Sequence, residues 1–298
     1  MIILIVSVGL LFARMDVLKT RNKLESLTSR ESSFLFNNLI FIGICFSVLW
    51  GTMFPLVSEA VRGAKITVGP PFFNQVNVPI GLVLLLLMGI GPLLAWRKTS
   101  FESVKKNFFI PITLAAIFAP IFWVFGIRSL YPFISSVLII FVGSSIIQEF
   151  WKGMVARHNM TGESYARSLV NMTLKNKSRF GGYIVHLGIV FYFIGFTGNA
   201  FNVEVERTLN PGESLQAGVF SFVYNDYQQI QRPNHNAQIV ELEVLKNGKS
   251  YGMLYPEKRL YFRSSQPNTE VDIIQTWRED LYATLAGITS EQGAATIR

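Results

Sequence analysis

The sequence predicts a mainly α-helical integral membrane protein of about five to six transmembrane helices, followed by a small all-β extracytoplasmic domain. Half of the 298 residues are hydrophobic and only 15% are charged, which is too apolar for an ordinary soluble domain. Apolar runs of membrane-spanning length fill the chain up to residue 199. Beyond that point the pattern changes to alternation with a period of two, which is typical of strands. We therefore expect a transmembrane bundle over residues 1–199 and a periplasmic, β-barrel-like domain over residues 200–298.

Five apolar segments are long enough to cross a membrane as helices. Residues 1–13 are too short to span comfortably and are interpreted as the end of a truncated helix; no small-residue cleavage site follows them, so a secretory signal is not expected. Thr28, followed three residues later by Glu31, has the spacing of a capping box that opens a helix. Pro111 is expected in the first turn of its helix, where proline is tolerated. The predicted spans are residues 34–57, 78–96, 108–126, 133–151 and 181–198.

The basic residues are concentrated in loops on one side of the predicted bundle. Fifteen lysines and arginines lie in three loops on that side, whereas the short loops on the other side hold three. The positive-inside rule places the basic loops in the cytoplasm and the β-domain outside the cytoplasmic membrane. The net charge of +8 is explained by this topology, so a nucleic-acid partner is not expected. A bacterial cytoplasmic membrane is the first expectation, and the mitochondrial inner membrane is the other setting.

The long basic connector, residues 152–179, is expected to be an amphipathic or irregular segment on the anionic inner leaflet. Gln148 and Glu149 come just before it, at the predicted end of the fifth helix, where water can solvate them. His158 lies within the connector and is interpreted as a surface histidine. No chemistry is therefore predicted for this part of the chain.

The first outer loop, predicted over residues 58–77, contains prolines and two aromatic residues that we expect to be exposed. Aromatic side chains settle well at a membrane surface, so the segment suits a docking ledge for a partner. An ordinary turn packed against the helix ends is an equally good interpretation of the same residues. The candidate docking residues are Gly69, Pro70, Phe72, Phe73 and Asn74.

Strand signals fill the segment from about residue 201 to residue 263. Apolar and acidic residues alternate over residues 203–206 and again over residues 239–245, as in strands with one buried face. The Asn-Gly pair at positions 247–248 is typical of a tight hairpin turn. A short helix is expected around residues 279–285. This part of the sequence predicts a small β-barrel or sandwich.

The residues that most often ligate metals are few. The histidines are His158, His186 and His235, and the single cysteine is Cys45. Their spacing predicts neither a zinc site, nor a disulfide framework, nor a Cys-x-x-Cys relay. His235 lies in a predicted turn and is interpreted as a surface residue. His186 differs because it lies inside the apolar segment of residues 181–198.

Three interpretations of His186 are open on the residues alone. It is a packing histidine with a hydrogen-bond partner, an interfacial anchor, or an axial ligand of a membrane haem. A buried site favours the neutral imidazole that iron binds, and Gly182, one turn away, leaves room for a flat ligand. A haem held by two histidines needs a second one, so the residues by themselves do not decide.

Several short sequence blocks occur in a fixed order and spacing. Together they identify a protein family more specifically than any one block does alone. They read SRES at 29–32 with NN at 37–38, GTMFPLV at 51–57, VGPPFFN at 68–74, GPLLAWR at 91–97 and GGYIVHLG at 181–188. Shorter blocks follow in the β-domain: NPGES at 210–214, YPEKR at 255–259 and REDLY at 278–282. Together they resemble CcmF, the haem lyase subunit of the cytochrome c maturation system. The resemblance covers nearly the whole chain, but only the carboxyl-terminal half of the family's protein.

The resemblance implies a cofactor and partners. His186 matches one of two histidines that ligate a membrane haem b, which passes electrons from quinol to the haem being attached. The implied partners are a haem chaperone, apocytochrome c with its thiol-reducing partner, and quinol. The tryptophan-rich haem-handling segment and the second haem ligand belong to the family's amino-terminal half. We therefore expect a split-gene product or a truncated form that is not a complete enzyme without that half.

Two classes of function remain open. In the first, the chain is part of a haem lyase, and its contribution to thioether formation is positioning and redox control; the absence of a general acid–base pair is consistent with this. In the second, it is a non-catalytic membrane assembly or scaffold subunit, or a permease, that docks a haem chaperone and apocytochrome. The scarcity of charged residues within the predicted helices argues against the permease.

Overall fold

The computed structural model describes residues 2–18, 26, 28–95, 99–263, 267–277, 279–289 and 293–298. The chain forms two compact units, Met1–Ala200 and Phe201–Arg298. The first is helical and the second is built from strands. Five of the described helices are long and apolar enough to cross a membrane. The predicted fold class, a helical membrane protein with a small all-β domain, is confirmed.

The helices of the first unit extend beyond the apolar runs that predicted them. Hydropathy marks only the apolar part of a helix, whereas the hydrogen-bonded backbone continues into polar residues, at the start of all five spanning helices and at the end of two of them. Short 3₁₀ turns follow the fourth and the eighth helix, at Gly91–Leu93 and Asn199–Phe201. The helices are α1 Ile2–Ala13, α2 Met15–Leu18, α3 Arg30–Arg62, α4 Pro70–Ile90, α5 Phe101–Val124, α6 Leu130–Thr161, α7 Tyr165–Lys175 and α8 Lys177–Gly198.

The cap of α3 lies one residue beyond the predicted position. Ser29 has extended backbone angles, and its hydroxyl accepts a hydrogen bond of 3.1 Å from the backbone N–H of Ser32. The expected cap at Thr28 with Glu31 is therefore wrong by one residue, because a serine hydroxyl serves the same orphan donors as well as a threonine. Gly63 ends the helix with φ +66°, a left-handed angle that glycine adopts without steric cost.

Two boundaries predicted around α3, α4 and α5 are wrong. The outer loop expected over residues 58–77 is reduced to residues 63–69, because α3 continues to Arg62 and α4 begins at Pro70. Pro111 is buried in the interior of α5 instead of its first turn, because α5 begins at Phe101 after the cap residue Ser100. In both cases the helix includes polar residues that hydropathy excludes.

α6 lies at the centre of the helical unit. It packs against α4, α5, α7 and α8, and Val142 and Ile146 are fully buried along it. Gly89 of α4 allows close approach, because an added Cβ would lie 2.7 Å from the ring of Phe141 and 2.9 Å from a methyl group of Val142. Small residues at such points let two helix backbones come together, as is usual between membrane helices.

The connector after the fifth span is mostly helical. α6 runs on to Thr161, and Gly162, with φ +69°, ends it. α7 then buries Ser168 and Met172 and exposes apolar side chains such as Leu169 and Leu174. The connector is therefore largely helical, and its place on the inner leaflet stays a prediction.

The second unit is a set of antiparallel sheets. A six-stranded sheet has the order β2-β3-β4-β6-β7, with β5 also paired to β4; a three-stranded sheet has the order β1-β11-β10; β8 pairs with β9. The strands are β1 Arg207–Leu209, β2 Ser214–Ala217, β3 Phe220–Gln231, β4 His235–Lys246, β5 Lys249–Leu254, β6 Glu257–Tyr261, β7 Pro267–Glu270, β8 Asp272–Gln275, β9 Asp280–Ala283, β10 Leu285–Ile288 and β11 Ala295–Ile297.

The period-two alternation in β4 predicts its buried face correctly. Val240, Leu242 and Val244 are fully buried in the core of this unit. The hairpin at Asn247 and Gly248 is also confirmed, with φ +51° and +79°, which are the left-handed angles of a tight hairpin turn.

Two predictions for this unit are wrong. The segment expected to be a helix, residues 279–285, contains strand β9, whose Leu281 and Ala283 are buried while the intervening residues are exposed. Residues 203–206 alternate in sequence but precede the first strand, which begins at Arg207. Short apolar runs are ambiguous between helix and strand until a partner strand is available to pair with them.

Candidate functional site

α8 carries the candidate ligand His186 on the flank of its buried stripe. The stripe consists of Phe180, Tyr183, Val190 and Thr197, whose spacing of three and seven residues keeps them on one side of the helix. His186 follows Tyr183 by three residues, so it lies about 60° around the helix and about 4.5 Å further along it. Its side chain is half-buried at the edge of the contact with the rest of the bundle.

The ring of His186 has an unsatisfied nitrogen and open space nearby. Nδ1 is buried and makes no hydrogen bond to any described residue. A Cβ added at Gly182, one turn earlier, would meet nothing within 4 Å. Haem iron binds the other ring nitrogen, Nε2, which is not among the enclosed, unpaired atoms of the described residues. The residues present therefore fit an axial ligand beside a flat group.

Within the described part of the helical unit, the other histidine, His158, is held by its own neighbours. His158 is in the last turn of α6, where its Nδ1 lies 2.5 Å from the carbonyl oxygen of Glu163 and its ring stacks on Tyr165 at 4.1 Å. His158 is thus half-buried and held by its neighbours, whereas the sequence predicts a solvated surface histidine.

His235 contradicts its predicted place on the surface. It is only 5% exposed, its Nδ1 lies 2.7 Å from Oδ1 of Asn234, and its ring lies 5.0 Å from that of Tyr261. Nε2 is enclosed without a hydrogen-bond partner among the described residues. The turn before it is so short that His235 is already the first residue of β4, paired with Tyr261 of β6. Pairing in the sheet, which the local sequence does not reveal, buries the ring.

The candidate docking segment begins α4. Gly69 is the residue before the helix and Pro70 occupies its first turn, where proline is favoured. Phe72 and Phe73 are half-buried and lie edge to face with ring centroids 5.4 Å apart. Both rings face Gly51 of α3, where an added Cβ would lie 2.6 Å from Phe73 and 3.0 Å from Phe72.

The expectation of two exposed aromatics in an outer loop is therefore wrong. Packing on α3 takes most of the two rings out of solvent, because Gly51 leaves space that they fill. Pro70 and Asn74 remain exposed at the helix start. This arrangement matches the other interpretation of the segment, a turn packed against helix ends. Docking of a partner stays a prediction, to be tested at the exposed Pro70 and Asn74.

Glu149 is the functional candidate that the sequence misses. It was expected to be solvated at the end of the fifth span, but α6 continues for another twelve residues to Thr161, and Glu149 is 7% exposed. One carboxylate oxygen accepts a hydrogen bond of 2.7 Å from Nη2 of Arg179 and one of 3.4 Å from the hydroxyl of Tyr183. Lys152 lies 3.4 Å from the other oxygen. The sequence does contain one signal for a buried Glu149: Arg179 and Tyr183, two possible hydrogen-bond donors, lie one turn apart on the next membrane helix.

Polar contacts tie the other helices to the same end of the bundle. Gln148 donates to the carbonyl of Asn107 at 2.9 Å, and Lys152 donates to the side-chain oxygen of Asn107 at 2.9 Å. Asn107 in turn donates to the carbonyl of Leu93 at 3.2 Å. Arg30 of α3 donates to the carbonyl oxygens of Gly91 and Pro92. The ends of α3, α4, α5 and α6 are thus joined by side chain to backbone hydrogen bonds.

An acidic cavity of about 250 Å³ lies in the β unit. Glu257 in its wall is held between Arg232 at 3.6 Å and Arg259 at 2.7 Å. The hydrogen bond to Glu257 raises the pKa of the Arg259 guanidinium. Asp226 and Glu241 lie directly opposite each other on β3 and β4. No cluster suited to a metal ion occurs among the residues that the structure describes. The cavity is lined by Asp226, Gln228, Ile239, Glu241, Tyr255 and Glu257.

Comparison with known proteins gives the family. Residues 200–298 match the family described as CcmF C-terminal beta-sandwich. The cytochrome c-type biogenesis protein CcmF of Pseudomonas fluorescens is 30% identical over 280 residues, which cover 92% of this chain and 40% of that protein. CcmF of Escherichia coli K12 is 27% identical over 94% of this chain and 41% of that protein. The chain thus spans about two fifths of the length of these relatives.

A solved structure shows the same fold. The structure titled cytochrome c heme lyase CcmF superimposes with a TM-score of 0.68 at 22% sequence identity, covering 91% of this chain and 42% of that one. The likeness includes both the helical and the β part, since it extends over nearly all of this chain. The chain belongs to the CcmF family and corresponds to the carboxyl-terminal part of its members.

Proposed function

We propose that this chain is a component of a cytochrome c maturation haem lyase and that His186 is one axial ligand of a membrane haem b. The observation that carries the proposal is the half-buried imidazole of His186, on a membrane-spanning helix beside the open flank of Gly182. Neutral imidazole is a common ligand of haem iron. The relatives named as cytochrome c biogenesis proteins supply the context.

In this function the chain positions groups. α8 holds the imidazole of His186 at the edge of the bundle, and the packing of its stripe on α6 keeps that edge in place. When bound, haem b would supply one-electron transfer from quinol to the haem being attached, which keeps that haem reduced while its thioether bonds form. The second ligand and the tryptophan-rich segment come from an amino-terminal half or subunit.

The partners follow from the same proposal. A haem chaperone delivers haem, and apocytochrome c with its thiol-reducing partner presents the cysteines that receive it. We place the β unit in the periplasm, because the basic loops between the helices favour the cytoplasm under the positive-inside rule. Pro70 and Asn74 are exposed at the start of α4 and are candidate contacts for these partners.

The test is a haem measurement on a reconstituted pair. This chain is co-expressed with the amino-terminal half of a CcmF relative, and the reduced-haem spectrum of the purified complex is recorded. His186→Ala is expected to lose the b-type haem, whereas His158→Ala, a histidine held at the far turn of α6, is the matched control and is expected to keep it. Equal haem content in wild type and His186→Ala would exclude His186 as a ligand.

One observation favours a second candidate function. Only one histidine of this chain lies inside a membrane-spanning segment away from the helix ends, so half of a two-histidine haem site is the most that it supplies. A non-catalytic assembly subunit that docks the haem chaperone and apocytochrome would need no more than its surfaces. Capture of these partners by the purified chain, with no haem bound in the co-expressed complex, would support the scaffold and exclude the ligand.

A further inference from the structure

The contact between α6 and α8 is fixed at one end by a single buried carboxylate. Glu149 of α6 is 7% exposed, and its Oε2 accepts hydrogen bonds from two α8 side chains, Arg179 at 2.7 Å and Tyr183 at 3.4 Å. These donors are four residues apart, so they lie one above the other on the same face of α8. Two donors from one helix that meet one acceptor on another fix the rotation of the helix as well as its distance.

The partners of Glu149 are themselves held. The guanidinium of Arg179 lies over the rings of Phe180 and Tyr183, 5.5 and 5.9 Å from their centroids. Lys152, which approaches the other oxygen of Glu149, also donates to Asn107 of α5 at 2.9 Å. Loss of these partners would be costly, because the carboxylate of Glu149 would stay buried without them.

Toward its other end α8 is held on α6 by the buried Val190 and by the hydrogen bond of 2.7 Å between Thr197 and Ser135, so the anchor at Glu149 acts on the turn that precedes His186. On the face of His186, an added Cβ at Gly182 would meet nothing within 4 Å. His186 lies about 60° around the helix axis from Tyr183 and about 40° from Val190. A rotation of that size would carry the ring under α6 or move it away from the bundle. The direction of the imidazole therefore depends on what holds α8 at Tyr183 and Arg179.

We infer that Glu149 is a positioning residue: through Arg179 and Tyr183 it sets the rotation of α8 and thereby the direction in which His186 is presented. The inference deepens the proposed function. It rests on that function in one respect: the direction of the His186 ring matters to a haem only if His186 is a haem ligand. The rotation itself is independent of any cofactor. Glu149 touches no reacting atom in this account and acts only through the helix.

A disulfide assay measures the rotation without haem. Ser135 of α6 and Thr197 of α8 have hydroxyl oxygens 2.7 Å apart, near the opposite end of the same helix pair. Cysteines at these two positions, in a Cys45→Ser background of the full chain, are expected to cross-link quickly under mild oxidation. Glu149→Gln keeps the volume but loses the charge, and we expect at least a threefold slower cross-link. Glu149→Asp, which keeps the charge, is expected to restore part of the rate.

The matched control is Glu163→Gln. This change also removes a carboxylate from an ion pair, with Arg157 at 2.9 Å, but at the turn between α6 and α7, and Glu163 has no hydrogen bond to α8 among the described residues. Its cross-linking rate is expected to equal that of wild type. Arg179→Lys is the second variant, because it keeps the charge but shortens the reach to Glu149, and it is expected to slow the cross-link as well. Equal rates for wild type, Glu149→Gln and Arg179→Lys would overturn the inference.

The haem measurement separates this inference from the proposed function. In the complex with an amino-terminal half, Glu149→Gln is expected to keep a b-type haem but to shift its midpoint potential and its reduced spectrum, while Glu149→Asp returns both toward wild type. An unchanged spectrum and potential would overturn the inference even if the cross-link slowed. If the wild-type complex holds no b-type haem, the proposed function fails, and the cross-linking rates alone decide whether Glu149 sets the rotation of α8.

Discussion

The hydroxyl of Tyr224, which is fully buried in β3, donates a hydrogen bond of 2.6 Å to the carbonyl oxygen of Gly293. Gly293 precedes β11 of the three-stranded sheet and has φ +85°, so this bond ties that sheet to the six-stranded one. Tyr224→Phe would leave the carbonyl unpaired and is expected to cost about 1–3 kcal/mol of stability. The loss of stability is measured by chemical denaturation of the intact chain, with hydrogen exchange of the β3 amides as the probe. Tyr282→Phe, on an exposed side chain, is the control and should change little.

The same tyrosine gives a pH prediction. Burial, and next the charge of Asp226, raise the pKa of Tyr224 to about 12. A group whose pKa is raised on folding contributes stability that is complete below its unfolded pKa of about 10 and is lost as the pH rises toward 12. An absorbance titration of the tyrosines should therefore show one group that ionises late, together with loss of β structure. Titration curves that are the same above pH 11 for wild type and Tyr224→Phe would contradict this.

The contact of Gly51 with Phe73 predicts the effect of adding one methyl group. A Cβ at Gly51 would lie 2.6 Å from a ring carbon of Phe73 and 3.0 Å from Phe72, so the rings must move. Gly51→Ala is expected to destabilise the helical unit by about 1–3 kcal/mol, the usual cost of overpacking. Gly43→Ala, on the same helix with nothing within 4 Å of the added Cβ, is the matched control and is expected to be neutral or slightly stabilising. Thermal midpoints of the detergent-solubilised variants compare the two, and equal shifts would contradict the packing.

The overall fold was predictable from the sequence because its signals are local. The apolar length of each span and the alternation in β4 are properties of consecutive residues, so the five membrane helices and the buried face of Val240 and Leu242 could be recognised in advance. The ends of the helices were not predictable in the same way. α6 continues past residue 151 to Thr161, and Lys152 in this extension donates a hydrogen bond to Asn107 of α5, a contact that hydropathy does not contain.

The same limit explains which site residues were missed. Glu149 could be given a solvated position only as long as Arg179, thirty residues further on, was not known to face it. His235 was assigned to the surface because a turn precedes it, yet pairing with Tyr261 buries it. His186 was recognised because its whole signal, a histidine in an apolar run, lies within one helix. Burial of a polar residue depends on long-range contacts that local patterns do not contain.

The ion pair at the turn before α7 predicts a loss of stability in acid. Hydrogen bonds from Arg157, and next from Asn171, lower the pKa of Glu163 to about 2. A carboxyl group whose pKa is lowered on folding contributes stability that is present above its unfolded pKa of about 4.5 and is lost as the pH falls toward 2. Glu163→Gln should therefore be less stable than wild type at pH 6 and equal to it at pH 2. Thermal midpoints of both proteins across this range measure the convergence, and a constant difference would contradict it.

The enclosed ring of His235 predicts a cost that a surface histidine would not have. His235→Ala removes the ring that lies 5.0 Å from Tyr261 and leaves a space inside the β unit, so we expect a loss of about 1–3 kcal/mol. His235→Leu fills much of that space and replaces an Nε2 that has no hydrogen-bond partner in the described chain, so it should lose clearly less than the alanine variant. Denaturation of the intact chain gives both values, with Lys249→Ala, an exposed position on β5, as the control. Equal stability of His235→Ala and Lys249→Ala would mean that the ring lies in solvent, as the sequence predicts.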